Sequence, residues 1–162
     1  MNNIKLSLEI RRYQSSDQNA VSKLHQQALE PTGAMLPGGP WNDDDLKNIE
    51  KEYIDNGGDF FVGILNKRII CMGALKKKTD VIAEIKRMRV HPHYQRKGLG
   101  QLMLDKLEDK ARQLGYKELY LDTTTKQIPA QKLYEKNGYQ QTGRTSYGGL
   151  DILFYKKKLN NY

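Results

Sequence analysis

The segment from Val81 to Thr123 constrains the fold more than any other part of this chain, because its periodicity changes twice. Val81 to Val90 alternates apolar and polar residues, the two-residue period of a strand. Leu99, Leu102, Met103, Leu107, Ala111 and Leu114 then recur at spacings of three and four, which predicts an amphipathic helix from Leu99 to Leu114. Gly115 suits the C′ position of that helix, and Lys117 to Thr123 returns to a strand pattern. A helix of this length between two strands fits a crossover connection. Between the first strand and the helix lies Gln95-Arg96-Lys97-Gly98-Leu99-Gly100. A helix start has several unpaired N–H groups and the positive end of the macrodipole. Glycines there let the backbone approach an anion without a Cβ in the way. The hexapeptide therefore predicts a diphosphate-bearing ligand at residues 95–101, with Arg96 and Lys97 adding positive charge.

The rest of the chain supplies the partners of this unit. Lys5 to Tyr13 reads as a first strand, followed by an N-cap at Ser16-Asp17 and a helix to about Glu30. Pro31 to Pro40 is a break rich in Pro and Gly. A second helix is expected from Asn42 or Asp43 to Ile54, with Asp43, Asp44 and Asp45 at its positive end. Phe60 to Leu65 and Ile69 to Lys77 form a hairpin around Asn66-Lys67-Arg68. A short helix near Pro129 ends at Gly138, and strands Tyr139 to Arg144 and Leu150 to Lys157 close the chain around Gly148-Gly149. The order is β-α-α-β-β-β-α-β-α-β-β, an α/β (α+β) arrangement in a single domain of 162 residues.

Composition narrows the class. The chain carries 27 Lys and Arg against 19 Asp and Glu, a net charge of +8. The charge is scattered, which suits a solvated face better than a nucleic-acid footprint, and no zinc spacing, aromatic RNA-binding signature or helix-turn-helix pattern accompanies it. No apolar run is long enough to span a bilayer and the N-terminus lacks a signal-peptide core, so no membrane partner is expected. Cys71, the lone cysteine, reads as a small buried hydrophobe, and the expected setting is cytoplasmic. No metal site is expected.

Competing phosphate motifs fail. A P-loop needs Gly-Lys-Ser/Thr, which is missing, and a dinucleotide fingerprint needs a small residue where Met103 stands. The hexapeptide instead fits Gln/Arg-x-x-Gly-x-Gly/Ala at Gln95, Gly98 and Gly100. Together with Glu84 to Pro92 before it and Leu133-Tyr134-Glu135-Lys136-Asn137-Gly138-Tyr139 after it, it resembles the GNAT superfamily of acyl-CoA-dependent N-acyltransferases, as a small bacterial-type single-domain member. The resemblance runs from about Leu8 to Leu159.

This resemblance implies a twisted mixed sheet whose fourth and fifth strands are parallel and splay to admit acetyl-CoA. It implies that backbone N–H groups of Arg96, Lys97, Gly98, Leu99, Gly100 and Gln101 hold the diphosphate. The pantetheine arm then lies along Met88, Arg89 and Val90 in the manner of an added strand. A backbone N–H near Met88 is the expected donor to the thioester oxygen. It further implies transfer of an acetyl group to a primary amine, small-molecule or peptide, in a direct ternary complex; a homodimer stays open. Tyr134 matches the family's usual general acid; a packed aromatic is the other reading. Glu84 is the candidate base, or else a solvent-facing strand glutamate, with His91 and His93 as alternatives. Many family members carry asparagine where this chain has Gln127, which leaves the pantetheine contact there open. Met35, Leu36, Trp41 and Tyr147 are candidates to wall the acceptor site, and Asp43 to Asp45 suit a cationic amine. A CoA-binding sensor with little turnover and a basic nucleic-acid-binding protein are the alternative functions.

Overall fold

The computed structural model describes Ile4, residues 7–34 and residues 43–160. Seven strands form one sheet in the order β1-β2-β3-β4-β5-β7-β6. They are β1 (Glu9–Arg12), β2 (Asp59–Leu65), β3 (Arg68–Lys77), β4 (Ile82–Val90), β5 (Glu118–Thr124), β6 (Gln140–Tyr147) and β7 (Leu150–Lys158). The main helices are α1 (Gln18–Leu29), α2 (Leu99–Gln113) and α3 (Ile128–Lys136). This is the α/β architecture expected from the sequence, with β4 and β5 parallel and every other neighbouring pair antiparallel.

Both faces of the sheet are covered, which explains why β2 and β3 are apolar at nearly every position. On one face Met103, Leu104, Leu107 and Ala111 of α2 pack against Phe61, Cys71, Leu75, Ala83, Ile85 and Leu119. On the other face Val21 and Leu24 of α1, with Leu46, Ile49 and Tyr53, pack against Phe60, Val62, Met72 and Ala74. Cys71 is fully buried, and burial pushes its thiol up to about 12, so it is an inert core residue. The β2–β3 turn takes the two-residue form, with Asn66 and Lys67 both at positive φ. No helix among the described residues is long and apolar enough to cross a membrane.

The expected second helix is corrected. A 3-10 turn spans Asp44–Lys47, the chain breaks at Asn48, and a π-helical turn spans Glu50–Ile54. The acidic residues that suited a helix start instead reach across to the sheet: Asp43 and Asp45 both bind Arg87 of β4, and Tyr53 donates its hydroxyl proton to Asp45. Asp17 departs in a smaller way. It precedes α1 but makes no side-chain cap, accepting instead from Arg11 and from the Gln14 N–H. Met35, Leu36 and Trp41 lie outside the described residues.

Two irregularities of β4 shape the centre of the molecule. First, β4 and β5 pair only through Ile82–Glu84 and Glu118–Tyr120, although both strands continue beyond that point. The strands therefore diverge, and the edge of β4 from Ile85 onward has no ladder partner on its β5 side. Second, β4 bulges. Met72 pairs with Arg89 and Ala74 with Lys86, so Gly73 alone opposes both Arg87 and Met88. Arg87 takes φ 56° to make the bulge. Gly73 is required here: a Cβ would meet Met88 Sδ at 2.9 Å and Met103 Cγ at 2.6 Å.

Candidate active site

The loop between β4 and α2 carries the hexapeptide. Arg96 (φ 62°) and Gly98 (φ 81°) are both left-handed, two such residues within three. Alternating handedness of this kind turns successive N–H groups into one concavity, an anion-binding nest. Leu102 donates to the Gly98 carbonyl at 3.2 Å, closing the first turn of α2. Among the described residues, the main-chain N–H groups of residues 96–101 have no acceptor. Side chains hold the loop in place around them. Gln95 Nε2 donates to the Val90 carbonyl at 3.1 Å, and the amides of Gln101 and Asn137 pair reciprocally at 2.8 Å, tying α2 to α3. Gly100 sits where a Cβ would reach Leu133 Cδ2 at 3.4 Å, so α3 packs close beside the nest.

A cleft of about 120 Å³ opens where β4 and β5 diverge. Its walls include Glu84 to Arg89 of β4, Asp122 to Thr124 of β5, Gln127 and Tyr134 of the α3 segment, and Leu29 at the end of α1. The unpaired edge of β4 is on one side of it and the bulge at Arg87–Met88 interrupts its wall. This combination suits a long ligand that carries phosphates at one end and amides along its length, since a nest of N–H groups suits phosphates and an unpaired strand edge suits amides.

Residues 20–139 match the sequence model of the Acetyltransferase (GNAT) family. The chain belongs to that family. N-acetylaspartate synthetase of Xenopus tropicalis is 27% identical over 128 residues, covering 73% of this chain and 47% of the relative. The chain thus spans about half the length of that protein. An acetyltransferase of the GNAT family from Staphylococcus aureus superposes with a TM-score of 0.83 at 24% identity, over 94% of this chain and 99% of that one. The protein yncA of Salmonella typhimurium, solved with its cofactor acetyl-CoA, superposes with a TM-score of 0.78 at 21% identity over 96% of each chain. These likenesses establish the GNAT fold.

Within this GNAT fold the remaining candidates separate clearly. Tyr134 is 4% exposed, its ring packed edge-on against Tyr139 at 5.6 Å, and it lines the cleft. Its hydroxyl has no hydrogen-bond partner among the described residues. Burial pushes the Tyr134 phenol up to about 12; the Arg89 charge opposes the rise and Asp122 adds to it. Glu84 also lines the cleft and makes no ion pair among the described residues. Burial raises its carboxyl above the usual range; Lys86 opposes this and Asp122 reinforces it. Gln127 turns its side-chain oxygen back onto Thr123 Oγ1, at 3.2 Å, and onto the Thr124 N–H, at 3.3 Å, which leaves its amide NH₂ toward other partners. His91 and His93 bond to each other through His93 N–H and His91 Nδ1 at 3.1 Å, and neither lines the cleft. Tyr147 is not among the cleft residues.

The site also holds groups that the sequence did not single out. Arg87 donates to Asp45 Oδ2 at 3.0 Å and to Asp43 Oδ1 at 3.1 Å. Burial alone would lower its pKa, but the bonds and charge of Asp45, with Tyr53 and Asp43, together outweigh burial and raise it. His25 of α1 accepts a hydrogen bond from Arg89 Nε at 3.3 Å on Nδ1 and places Nε2 3.1 Å from Asp43 Oδ1. Burial, with the Arg89 charge, pushes this imidazole down to about 4, so it is neutral. No local pattern marks these residues, because α1, the Asp43 segment and β4 are far apart in sequence.

Proposed function

We propose that the chain is an acetyl-CoA-dependent N-acetyltransferase acting on a primary amine by direct transfer. The observation that carries this reading is the continuity between the nest at residues 96–101 and the unpaired β4 edge, which ends beside Tyr134. In this reading the free N–H groups of Arg96 to Gln101 bind the diphosphate. The pantetheine amides pair with the backbone of Met88, Arg89 and Val90, and Gln127 offers its NH₂ to the same arm. The thioester then lies at the bulge, where an N–H near Met88, outside the β3 ladder, stabilises the oxyanion as it forms.

The acceptor arrives protonated. An alkyl amine with a pKa near 10.4 lies roughly 4–5 kcal/mol from its neutral form at pH 7. Glu84 takes that proton, directly or through water, and burial, reinforced by the Asp122 charge, raises its basicity. The neutral amine nitrogen forms a bond to the carbonyl carbon, the carbon–sulfur bond breaks with its electron pair leaving on sulfur, and the nitrogen gives up its second proton to water or to the departing thiolate as the amide forms. Tyr134 is the donor to that thiolate. With a pKa of about 12 it is protonated across the neutral range. No covalent acyl-enzyme is needed, and Cys71 is inaccessible for one. The test is thiol release from acetyl-CoA against a broad amine panel, beside calorimetry with CoA. Turnover with any amine supports the assignment. Absence of CoA binding to folded protein would sink it.

A further inference from the structure

The cationic side chains on the acceptor side of β4 are not equivalent. The bulge turns both Arg87 and Arg89 toward α1 and the Asp43–Asp45 segment, while Met88 between them joins the α2-side core. Arg87 is neutralised by two carboxylates. Arg89 is not. Its Nε meets a neutral imidazole, and its Nη1 donates to the Met88 carbonyl at 2.7 Å. Among the described residues it has no carboxylate partner, and Asp43 stands behind His25, already shared with Arg87. Burial pushes the Arg89 guanidinium down to about 10, so at neutral pH it still carries its charge. A half-buried cation without an anion is uncommon in proteins, where buried charges are paired. Arg89 is also held rather than loose: its bonds to His25 Nδ1 and to the Met88 carbonyl fix its orientation, while Nη2 and the second hydrogen of Nη1 have no partner among the described residues, and the residue lines the cleft.

Resting on the N-acetyltransferase reading, we propose that the open edge of Arg89 binds a carboxylate of the acceptor, so the preferred substrates are free amino acids rather than simple amines. A guanidinium edge recognises a carboxylate through two parallel hydrogen bonds, a geometry an ammonium cannot reproduce. Arg89 and Tyr134 line the same cleft, so the carboxylate site lies near the leaving sulfur. The amine and the carboxylate must therefore be near neighbours in the acceptor, as they are in an α-amino acid. Polyamines would place a second cation where Arg89 already stands.

The experiment compares kcat/KM for matched sets: lysine with cadaverine, phenylalanine with phenethylamine, and each amino acid with its methyl ester. The expected result is a preference for the acid of about 10- to 100-fold, the range for hydrogen bonds to a charged group. Arg89→Gln should bring that ratio toward one, and Arg89→Lys should restore part of it. Equal rates for acid, ester and amine in the wild-type chain would overturn the proposal while leaving the acetyltransferase reading intact. So would an Arg89→Gln variant that raises KM for acetyl-CoA and keeps the ratio. No thiol release with any amine, on protein that binds CoA, would overturn both. Because the wild-type comparison stands alone, a variant that fails to fold does not remove the test.

Discussion

Replacing Tyr134 by phenylalanine discriminates between two ways of stabilising the leaving thiolate. An ordinary alkyl thiol has a pKa near 8.5. The Tyr134 phenol lies at about 12, raised by burial. Complete proton transfer from one to the other is uphill by about 3.5 units, or about 5 kcal/mol at 1.36 kcal/mol per unit. Outright donation is therefore disfavoured, and the larger effect is a hydrogen bond from neutral phenol to anionic sulfur. Such charge-assisted bonds contribute about 1.5–3 kcal/mol, which corresponds to a loss of about 10- to 150-fold in kcat. The ring contacts with Tyr139 survive the substitution, and the hydroxyl leaves no partner stranded among the described residues, so stability should change little. The assay is thiol release at saturating acetyl-CoA and amine, with KM for acetyl-CoA and Tm measured in parallel. The wild-type rate should show no decline from tyrosine ionisation below about pH 10, since the phenol titrates near 12. An unchanged kcat would remove Tyr134 from the chemistry. A loss beyond about 1000-fold would mean that full protonation of sulfur governs the step, against the pKa argument.

Three further outcomes follow from the same geometry. Glu84→Gln should lower kcat/KM by about 100-fold or more and abolish the acid limb of the pH profile; the wild-type limb should have its inflection above the ordinary glutamate value, because burial raises this carboxyl. A limb that persists in the variant would assign the base elsewhere. His25 is neutral in the fold with a pKa of about 4 against 6.5 when unfolded, so the unfolded chain binds the extra proton and stability falls as pH drops from 6.5 toward 4. Between pH 6.5 and 5 the loss is roughly 1–2 kcal/mol, since the slope reaches 1.36 kcal/mol per unit only once the unfolded imidazole is fully protonated, and urea titrations of wild type and His25→Gln should converge there; parallel curves would contradict it. Arg87→Ala leaves Asp45 and Tyr53 without their buried counter-charge and should destabilise by about 3–5 kcal/mol, a Tm drop on the order of 10 °C; a shift under about 2 °C would show the network to be dispensable.

The crossover unit was legible because each of its signals is local. Alternation in β4, the three-four spacing of α2 and the glycines between them act over one or two turns, and the parallel pairing follows from chain connectivity. The left-handed Gly98 could be anticipated for the same reason, while its companion at Arg96 could not, since arginine carries no left-handed signature. The acidic run at Asp43 to Asp45 misled because a helix N-terminus and a distant arginine attract the same residues. The sequence shows the acids but not which positive group they meet. Here Arg87, 42 residues beyond Asp45, prevails, and a continuous helix gives way to two short turns. His25 was hidden in the periodic face of α1, where a buried histidine and a buried leucine occupy equivalent positions. Its importance comes from Arg89, which reaches it only through the fold.

One bulge links these observations. Inserting Arg87 into β4 at positive φ carries a strain of about 1–2 kcal/mol for a residue with a side chain. The same insertion lifts Met88 out of the β3 ladder and lets Arg87 and Arg89 face α1 on either side of a core methionine. The ion pairs of Arg87 with Asp43 and Asp45 offset the strain and pin the acidic segment over the sheet. Asp43 in turn lies against His25, which orients Arg89. A regular strand would have alternated, sending Arg87 to the α2-side core or displacing Met88 from it, and would have kept every N–H in its ladder. The backbone donor proposed for a thioester and the cation proposed for an acceptor thus both trace to a single extra residue, stabilised by the segment on which the sequence predicted a helix.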